Sequence, residues 1–357
     1  MRRKTKQVIC GDVAIGGNAP ITIQSMTNTD TRNIKDTVEQ IAKLKEAGCE
    51  IIRCAVPDME AATALGEIKK AIDMPLVADI HFDHRLALAA ISNGVDKVRI
   101  NPGNIGSTDR IQAILNAAKE REIPIRVGVN SGSLEKEVLI KYKGVTAEAL
   151  AESVLKTVKQ IENMGFNNLV VSLKSSDVKL NYDAHQIVSK KLTYPLHIGI
   201  TESGTITGGK IKSAIGIGSL FLAGIGDTMR VSLTGDPVEE VVFAKEILKA
   251  VGIKKSGINF ISCPTCGRTQ VDLIKITKEI EKRIKPIETL REKTGKKPIT
   301  VAVMGCEVNG PGEAKEADLG VACGKEKGIL FSKGKIIQTY PSSEIPDILI
   351  EWIQKME

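Results

Sequence analysis

Three cysteines in the last third of the chain are spaced to share one centre: Cys263 and Cys266 in "CPTC", and Cys306 at the head of "CEVNGPGE". A C-x2-C pair places two thiolates on one tight turn, within reach of a single metal centre. A zinc ribbon would add a second such pair roughly 15 to 20 residues later. Here Cys306 stands alone, 40 residues beyond Cys266. That arrangement favours an iron–sulfur cluster over zinc. Gly305, Gly310, Pro311 and Gly312 fold the chain back sharply around Cys306. The return brings Glu313 into range as a fourth ligand, while Cys323, closing the apolar run "ADLGVAC", is the other candidate. Four thiolates suit electron transfer, whereas a displaceable oxygen on the fourth iron lets a substrate bind there. Spacing leaves both open. Cys10, Cys49 and Cys54 stand apart from this group and are expected to be buried, the common fate of a free cysteine.

A second set of polar residues recurs inside or just past short apolar runs. Arg53 lies in "EIIRCAV", Asp79 and His81 end "LVADIH", and Arg99 and Asn101 end "VRIN". Arg126 and Asn130 bracket "RVGVN", Ser172 and Lys174 end "VVSLK", Glu202 follows "HIGIT", and Arg230 and Ser232 lie in "RVSL". Residues two apart on a strand share a face, so Arg99 with Asn101, Ser172 with Lys174 and Arg230 with Ser232 can look the same way. Five cations (Arg53, Arg99, Arg126, Lys174, Arg230) face two nearby acids, Asp79 and Glu202. A buried cationic cavity without counter-charge is expensive unless an anion fills it. Arginine suits bidentate recognition of phosphate. A small phosphate or diphosphate ester is the expected occupant. Of the histidines, His81 and His84 in "DIHFDHR" divide into a substrate contact and a helix start. His185 and His197 are expected to be structural.

Such residues need strands to aim them. Between residues 20 and 250, apolar runs alternate with helix-period segments: "ITIQSM", "EIIRCAV", "LVADI", "KVRIN", "IRVGVN", "LVVSLK", "HIGIT" and "TMRVSL" are eight strands. "NIKDTVEQIAKLKEAG" and "TAEALAESVLKTVKQIENMG" are helices closed by Gly48 and Gly165. Eight βα units predict a (β/α)8 TIM barrel over residues 1–253, with the active site at the C-terminal ends of the strands. "GDVAIGGNAP" is expected to form a hairpin under the barrel. An open doubly wound sheet is the alternative, weakened because no G-x-G-x-x-G follows the first strand. "VGIKKSGINF" is predicted to be a linker. Residues 254–357 then form a smaller α+β unit: a helix in "QVDLIKITKEIEKRIKPI", strands in "ITVAVMG" and "ADLGVAC", a hairpin turning at Lys333–Gly334, and a terminal helix.

The formal net charge is +7 and aromatic residues make up 3% of the chain. The charge fits a small anion or a nucleic acid, but so few aromatics leave little to stack on bases, so no nucleic-acid partner is expected. No apolar run approaches the roughly 20 residues of a membrane span. The basic start "MRRKTKQVICGDVAIGG" has no apolar stretch behind it to act as a secretory signal. A cytoplasmic enzyme is expected, with clustered cysteines used for metal rather than disulfides. The alternative is a phosphosugar enzyme on the same barrel with a structural zinc site.

Eight segments carry a closer likeness: "IQSMTNTDT", "ADIHFDHRLA", "VRINPGNIG", "RVGVNSGSL", "SLKSSD", "GITESG", "ISCPTCGRT" and "VMGCEVNGPGEA". Over essentially its whole length the chain resembles the 4-hydroxy-3-methylbut-2-enyl diphosphate synthase family of the non-mevalonate isoprenoid pathway, in its two-domain bacterial form. The resemblance implies a TIM barrel joined to a [4Fe–4S] domain similar to part of sulfite and nitrite reductases. It implies homodimers in which the cluster domain of one chain caps the barrel of the other. It implies cluster ligation by Cys263, Cys266, Cys306 and Glu313, which leaves Cys323 as a buried residue. Diphosphate binding falls on Arg53, Arg99, Arg126, Lys174 and Ser232. Asp79, His81, Asn130 and Glu202 correspond to other substrate-site residues, with Glu202 as the barrel-side proton donor or charge partner, and Asn309 lies on the cluster side. The implied reaction is the reductive ring opening and dehydroxylation of 2-C-methyl-D-erythritol 2,4-cyclodiphosphate, with electrons from reduced flavodoxin or ferredoxin.

Overall fold

The structure is a computed structural model that describes residues 2–254, 257–306, 312 and 314–356. Asn309 and Glu313 lie outside the described residues. The chain divides into two units, Met1–Val251 and Gly252–Glu357.

The first unit opens with an antiparallel hairpin, β1 (Gln7–Cys10) and β2 (Val13–Gly16). It starts four residues before the stretch predicted for it, because Gly11, at φ 60°, supplies the turn rather than the first strand. Eight parallel strands follow: β3 (Thr22–Met26), β4 (Ile51–Ala55), β5 (Leu76–Asp79), β6 (Lys97–Ile100), β7 (Ile125–Asn130), β8 (Leu169–Lys174), β9 (His197–Ile198) and β10 (Thr228–Met229). Their order is β8-β7-β6-β5-β4-β3-β10-β9, and a bridge between Val171 and Leu196 joins the two ends. The sheet is thereby closed into a barrel.

Helices between the strands begin and end on the residues the sequence provides. Asn33 accepts from the Asp36 N–H at the start of helix Ile34–Ala47, and Gly48 ends it in the left-handed region at φ 107°. Thr146 caps helix Ala147–Asn163 in the same way. His84 opens helix His84–Ser92 behind the Asp83 cap, the helix-start role expected for one of the two histidines.

Alternation along the strands sorts the barrel interior into tiers. Near the N-terminal ends, Ile51, Val77 and Val170 pack with Val8, Cys10 and Ile15 of the hairpin, which seals that end with apolar side chains. Two residues further along the same inward faces come Arg53, Asp79 and Ser172. β9 and β10 pair over only two residues each, shorter than "HIGIT" and "TMRVSL" suggest. Beyond them the chains leave the ladder for loops, which the Ser203 hydroxyl ties together by donating to the Ser232 carbonyl.

The second unit is a five-stranded sheet in the order β11 (Ile258–Ser262), β12 (Ile299–Met304), β13 (Leu319–Cys323), β14 (Lys327–Ser332) and β15 (Lys335–Pro341). The first three strands are parallel and the last two antiparallel. Helices Leu273–Lys293 and Ile345–Lys355 cover one face, burying Ile280, Ile284, Leu349 and Ile353 against Val301, Val303 and Val321. Lys333 and Gly334, both at positive φ, turn the β14–β15 hairpin as the sequence predicts. β11 occupies part of the predicted linker. The long helix runs through Pro286 to Lys293, past the predicted end at Ile287.

Candidate active site

At the C-terminal ends of the barrel strands lies a cavity of about 150 Å³ lined by Arg53, Asp79, His81, Arg99, Arg126, Asn130, Ser172, Lys174, Thr201, Arg230 and Ser232. At roughly 30 Å³ per water it has room for about five, the scale of a small polar ligand. Register explains why these side chains meet. Asp79 pairs with Arg99 across β5 and β6, Arg99 with Arg126 across β6 and β7, and Asn130 with Lys174 across β7 and β8. Gly128 keeps the tier open: a Cβ there would lie 2.9 Å from Ser172 Oγ and 3.2 Å from Arg99 Nε.

Two carboxylates organise part of this positive charge. Arg99 Nη1 donates to Asp79 Oδ1 at 3.1 Å, and Arg53 Nε and His81 Nε2 lie 3.7 and 3.5 Å from Oδ2. Burial would raise the Asp79 carboxyl, but Arg53, His81, Arg99 and Arg126 outweigh it and hold it far below the usual carboxylate range. The second carboxylate is Glu240, from helix Pro237–Ala250, 3.2 Å from Arg230 Nη2. Glu240 Oε1 also accepts from the Leu233 N–H at 2.8 Å, which fixes the segment carrying Ser232. Met26 Sδ accepts from Arg53 Nη2 at 2.9 Å.

Arg126 is the exception. It is 2% exposed, and its Nε and Nη1 have no hydrogen-bond partner among the described residues. Arg99 Nε is in the same condition. Burial, then repulsion from Arg53 and Arg99, pushes the Arg126 guanidinium well below its ordinary value. Burial, then Arg126 and Arg53, does the same to the Lys174 ammonium. Burial lowers Arg53 to about 10 despite Asp79. A cavity lined by residues that carry excess positive charge and unpartnered buried donors is suited to a phosphate. Pyrophosphate at a hundred times its Kd should therefore stabilise the barrel by about 2.7 kcal/mol, a Tm rise of roughly 5–10 °C for a unit of this size. A scan showing no more stabilisation than sodium chloride gives at equal ionic strength would contradict this.

Of the residues expected here from sequence, Arg53, Asp79, His81, Arg99, Arg126, Asn130, Lys174, Arg230 and Ser232 line one cavity. Glu202 is exposed and does not line it; Thr201, its neighbour, does. Glu202 adopts φ 50°, a conformation that costs an L-residue roughly 1–2 kcal/mol. Sequence reasoning missed Thr201, Met26 and Glu240. The signal for Glu240 was the charge imbalance itself, which called for an acid close to Arg230.

The thiols gather in the second unit. Cys263 directly follows β11 and Cys306 lies just past β12, its parallel neighbour, with Ser262 opposite Val303. The Cys263 N–H donates to the Val303 carbonyl at 3.3 Å, and the Gly305 N–H donates to Cys263 Sγ at 3.1 Å. The Gln270 N–H donates to the Gly305 carbonyl, which ties the loop holding Cys266 to the segment before Cys306. A Cβ at Gly305 would lie 2.9 Å from Leu273 Cδ2, so the close approach needs glycine. The Arg268 N–H, with a smaller contribution from the Thr269 hydroxyl, lowers the Cys266 thiol, as a thiolate ligand requires. Cys323 is fully buried at the end of β13 in the same apolar cluster as Ile258, Val303 and Ile345. Burial, then Cys263, pushes its thiol up to about 12. Cys10, Cys49 and Cys54 are buried in the barrel unit.

Zinc–thiolate bonds of about 2.3 Å bring tetrahedral ligand sulfurs to roughly 4 Å of one another. Among the described residues, no three thiols, imidazoles or carboxylates stand close enough to hold one ion. A cluster that takes one thiolate on each iron accepts a wider set. The donor types, the N–H groups aimed at sulfur and the shared sheet end fit such a cluster.

Comparison with known proteins agrees with both halves of this description. The family model for the GcpE TIM-barrel domain matches residues 5–245, and that for the GcpE protein C-terminal domain matches residues 259–355. The 4-hydroxy-3-methylbut-2-en-1-yl diphosphate synthase (flavodoxin) of Clostridium acetobutylicum is 58% identical over 355 residues, 99% of each chain. The protein of the same name from Geobacter sulfurreducens is 52% identical over 356 residues, covering 100% of this chain and 99% of its own. Among solved structures, a Xanthomonas albilineans dihydropteroate synthase matches with a TM-score of 0.50 at 13% identity, over 70% of this chain and 98% of its own. A Yersinia pestis dihydropteroate synthase matches with a TM-score of 0.50 at 12% identity, over 69% of this chain and 96% of its own. These two show the barrel fold alone. With both domain models matched in order and identity above one half over full length, the chain belongs to the GcpE family of 4-hydroxy-3-methylbut-2-en-1-yl diphosphate synthases.

Proposed function

We propose that this protein reduces 2-C-methyl-D-erythritol 2,4-cyclodiphosphate to (E)-4-hydroxy-3-methylbut-2-enyl diphosphate, with reduced flavodoxin as electron donor and ferredoxin as the alternative. The observation that carries this is the buried, under-compensated cation ring around Arg126, in a chain that also gathers three thiols at one sheet end. The C2–O bond to the diphosphate breaks, the C3 hydroxyl leaves as water, and a C2=C3 double bond forms. Two electrons and one proton balance the change, and the diphosphate gains one negative charge.

That gain shows what the barrel residues do. Arg53, Arg99, Arg126, Lys174 and Ser232 hold the diphosphate, and their attraction grows as the ring opens. Interactions that strengthen towards the transition state accelerate the step rather than merely tightening binding. Because Asp79 fixes Arg53 and Arg99, and Glu240 fixes Arg230, these donors need little reorganisation. Asn130 and His81 orient the carbon skeleton at the mouth. Glu202, next in sequence to Thr201 of the lining, delivers the proton to the departing hydroxyl.

In the second unit Cys263, Cys266 and Cys306 would hold a [4Fe–4S] cluster, with the Glu313 carboxylate as the exchangeable fourth ligand and Asn309 as the substrate-binding residue of the cluster side. The cluster, when bound, supplies the electrons and a Lewis-acidic iron. Cys323 stays a buried thiol. The reading includes a homodimer, no nucleic-acid partner and a cytoplasmic enzyme. No helix among the described residues is long and apolar enough to cross a membrane.

Metal analysis of anaerobically purified protein tests the cofactor. A brown protein with about four irons per chain is expected. A colourless protein with one zinc would favour the phosphosugar alternative.

A further inference from the structure

The Lys174 ammonium sits in a slot built by β9. Its Nζ lies 3.4 Å from Nε2 of His197, which is fully buried, and His197 Nδ1 lies 3.5 Å from Oγ1 of Thr228. His197 and Thr228 are register partners across β9 and β10. Two residues along the same inward face, Gly199 leaves room for the amine: a Cβ there would lie 2.8 Å from Lys174 Nζ and 2.5 Å from the Arg230 carbonyl oxygen. A slot flanked by glycine on one side and an imidazole on the other admits a slender amine and excludes a guanidinium.

We propose that His197 is a positioning residue for substrate binding: its Nε2 accepts from the Lys174 ammonium and its Nδ1–H donates to Thr228, which aims the remaining ammonium hydrogens into the diphosphate cavity. A charged lysine has donors only, so the facing imidazole nitrogen must be the acceptor and the other nitrogen carries the hydrogen. The Lys174 ammonium thereby sets the tautomer, and the Thr228 hydroxyl, which can donate or accept, takes the Nδ1–H and holds the ring in place. The surroundings keep the ring neutral: burial first, then Arg126, Lys174, Lys97 and Arg53, push it well below its ordinary value. Lysine is a flexible point charge that a carboxylate usually anchors. Here a neutral acceptor does so without cancelling the charge the anion needs.

The proposal rests on the diphosphate reading of the cavity, so its test uses pyrophosphate binding as well as turnover. His197→Leu keeps an apolar body of similar size and removes the acceptor, whereas His197→Gln keeps an amide oxygen near Nε2. On the holoenzyme, His197→Leu should raise both the KM for the cyclodiphosphate and the Kd for pyrophosphate roughly tenfold, about 1.4 kcal/mol, with kcat within about twofold. His197→Gln should recover most of the loss. A role in packing alone predicts the reverse, with leucine tolerated at least as well as glutamine. Wild-type KM and Kd in His197→Leu, or equal impairment in both variants, would overturn the proposal. If His197→Leu does not fold, Thr228→Val decides: loss of the acceptor for the Nδ1–H frees the ring to turn and should raise the Kd for pyrophosphate about threefold, and an unchanged Kd would overturn the proposal. A wild-type enzyme that binds pyrophosphate but leaves the cyclodiphosphate intact would sink the substrate assignment, not the role of His197.

Discussion

Replacing Arg126 with methionine should raise the KM for the cyclodiphosphate by roughly a hundredfold and, in the same protein, make the anion-free barrel harder to unfold. Both effects come from one observation, a guanidinium buried among other cations with two nitrogens unpartnered. A desolvated charged contact to a diphosphate oxygen is worth about 2–5 kcal/mol when one side is truncated. Without the anion, the same group carries an unsatisfied desolvation penalty of about 1–3 kcal/mol. Methionine fills much of the volume without a charge, so that penalty disappears, as it does when buried ions are exchanged for apolar residues elsewhere. Urea unfolding in anion-free buffer, paired with steady-state kinetics, separates the two signs. A destabilised variant with an unchanged KM would mean that Arg126 is a structural cation.

Replacing Cys306 with alanine should remove at least ~10³-fold of turnover together with the iron, because loss of a ligand exceeds the ten- to hundredfold effects of the residues behind ligands. Cys306 is buried beside the segment that Gly305 ties to Cys263 and to the Cys266 loop. The barrel should be untouched, with its Kd for pyrophosphate within about twofold of wild type, since each unit has its own core. Iron retained at the wild-type level with turnover intact would remove Cys306 from the ligand set.

Much of the site was legible because strand chemistry is local. The period-2 rule put Ser172 with Lys174 and Arg230 with Ser232 on shared faces, and all four line the cavity; Arg99 lines it without Asn101, its expected companion; and glycines at 48 and 165 marked helix ends. What escaped depended on contacts between different elements. Glu240 sits in "DPVEEVVFAKEILKAVG", where an acid in the first helical turn looks solvated. Folding of that helix back against the end of its own strand brings it to Arg230. His197 was expected to be structural because a histidine early in a strand carries no mark of its partner, and Lys174 reaches it from the neighbouring strand. β11 was hidden by its composition: "INFIS" is short, follows a lysine–glycine stretch and is largely exposed, so no apolar run announces it. Helix Leu273–Lys293 continues past Pro286 because its buried stripe, Ile280, Ile284, Ile287 and Arg291, holds the last turns against the sheet unit. Tertiary burial there outweighs the local penalty of a proline. The choice between Glu313 and Cys323 was not legible from spacing, and it is the family resemblance that assigns the carboxylate. Burial does not decide it, because Cys306 is buried as well and Cys263 packs against the same apolar cluster as Cys323.

The most direct measurement is anaerobic turnover of 2-C-methyl-D-erythritol 2,4-cyclodiphosphate by the iron-loaded protein with reduced flavodoxin, followed by phosphorus NMR. The expected result is loss of the cyclic diphosphate signals and growth of those of a linear allylic diphosphate, with two electrons consumed per molecule and no product when Cys306 is alanine. Unchanged cyclic diphosphate in the presence of a fully loaded, reducible cluster would contradict the assignment.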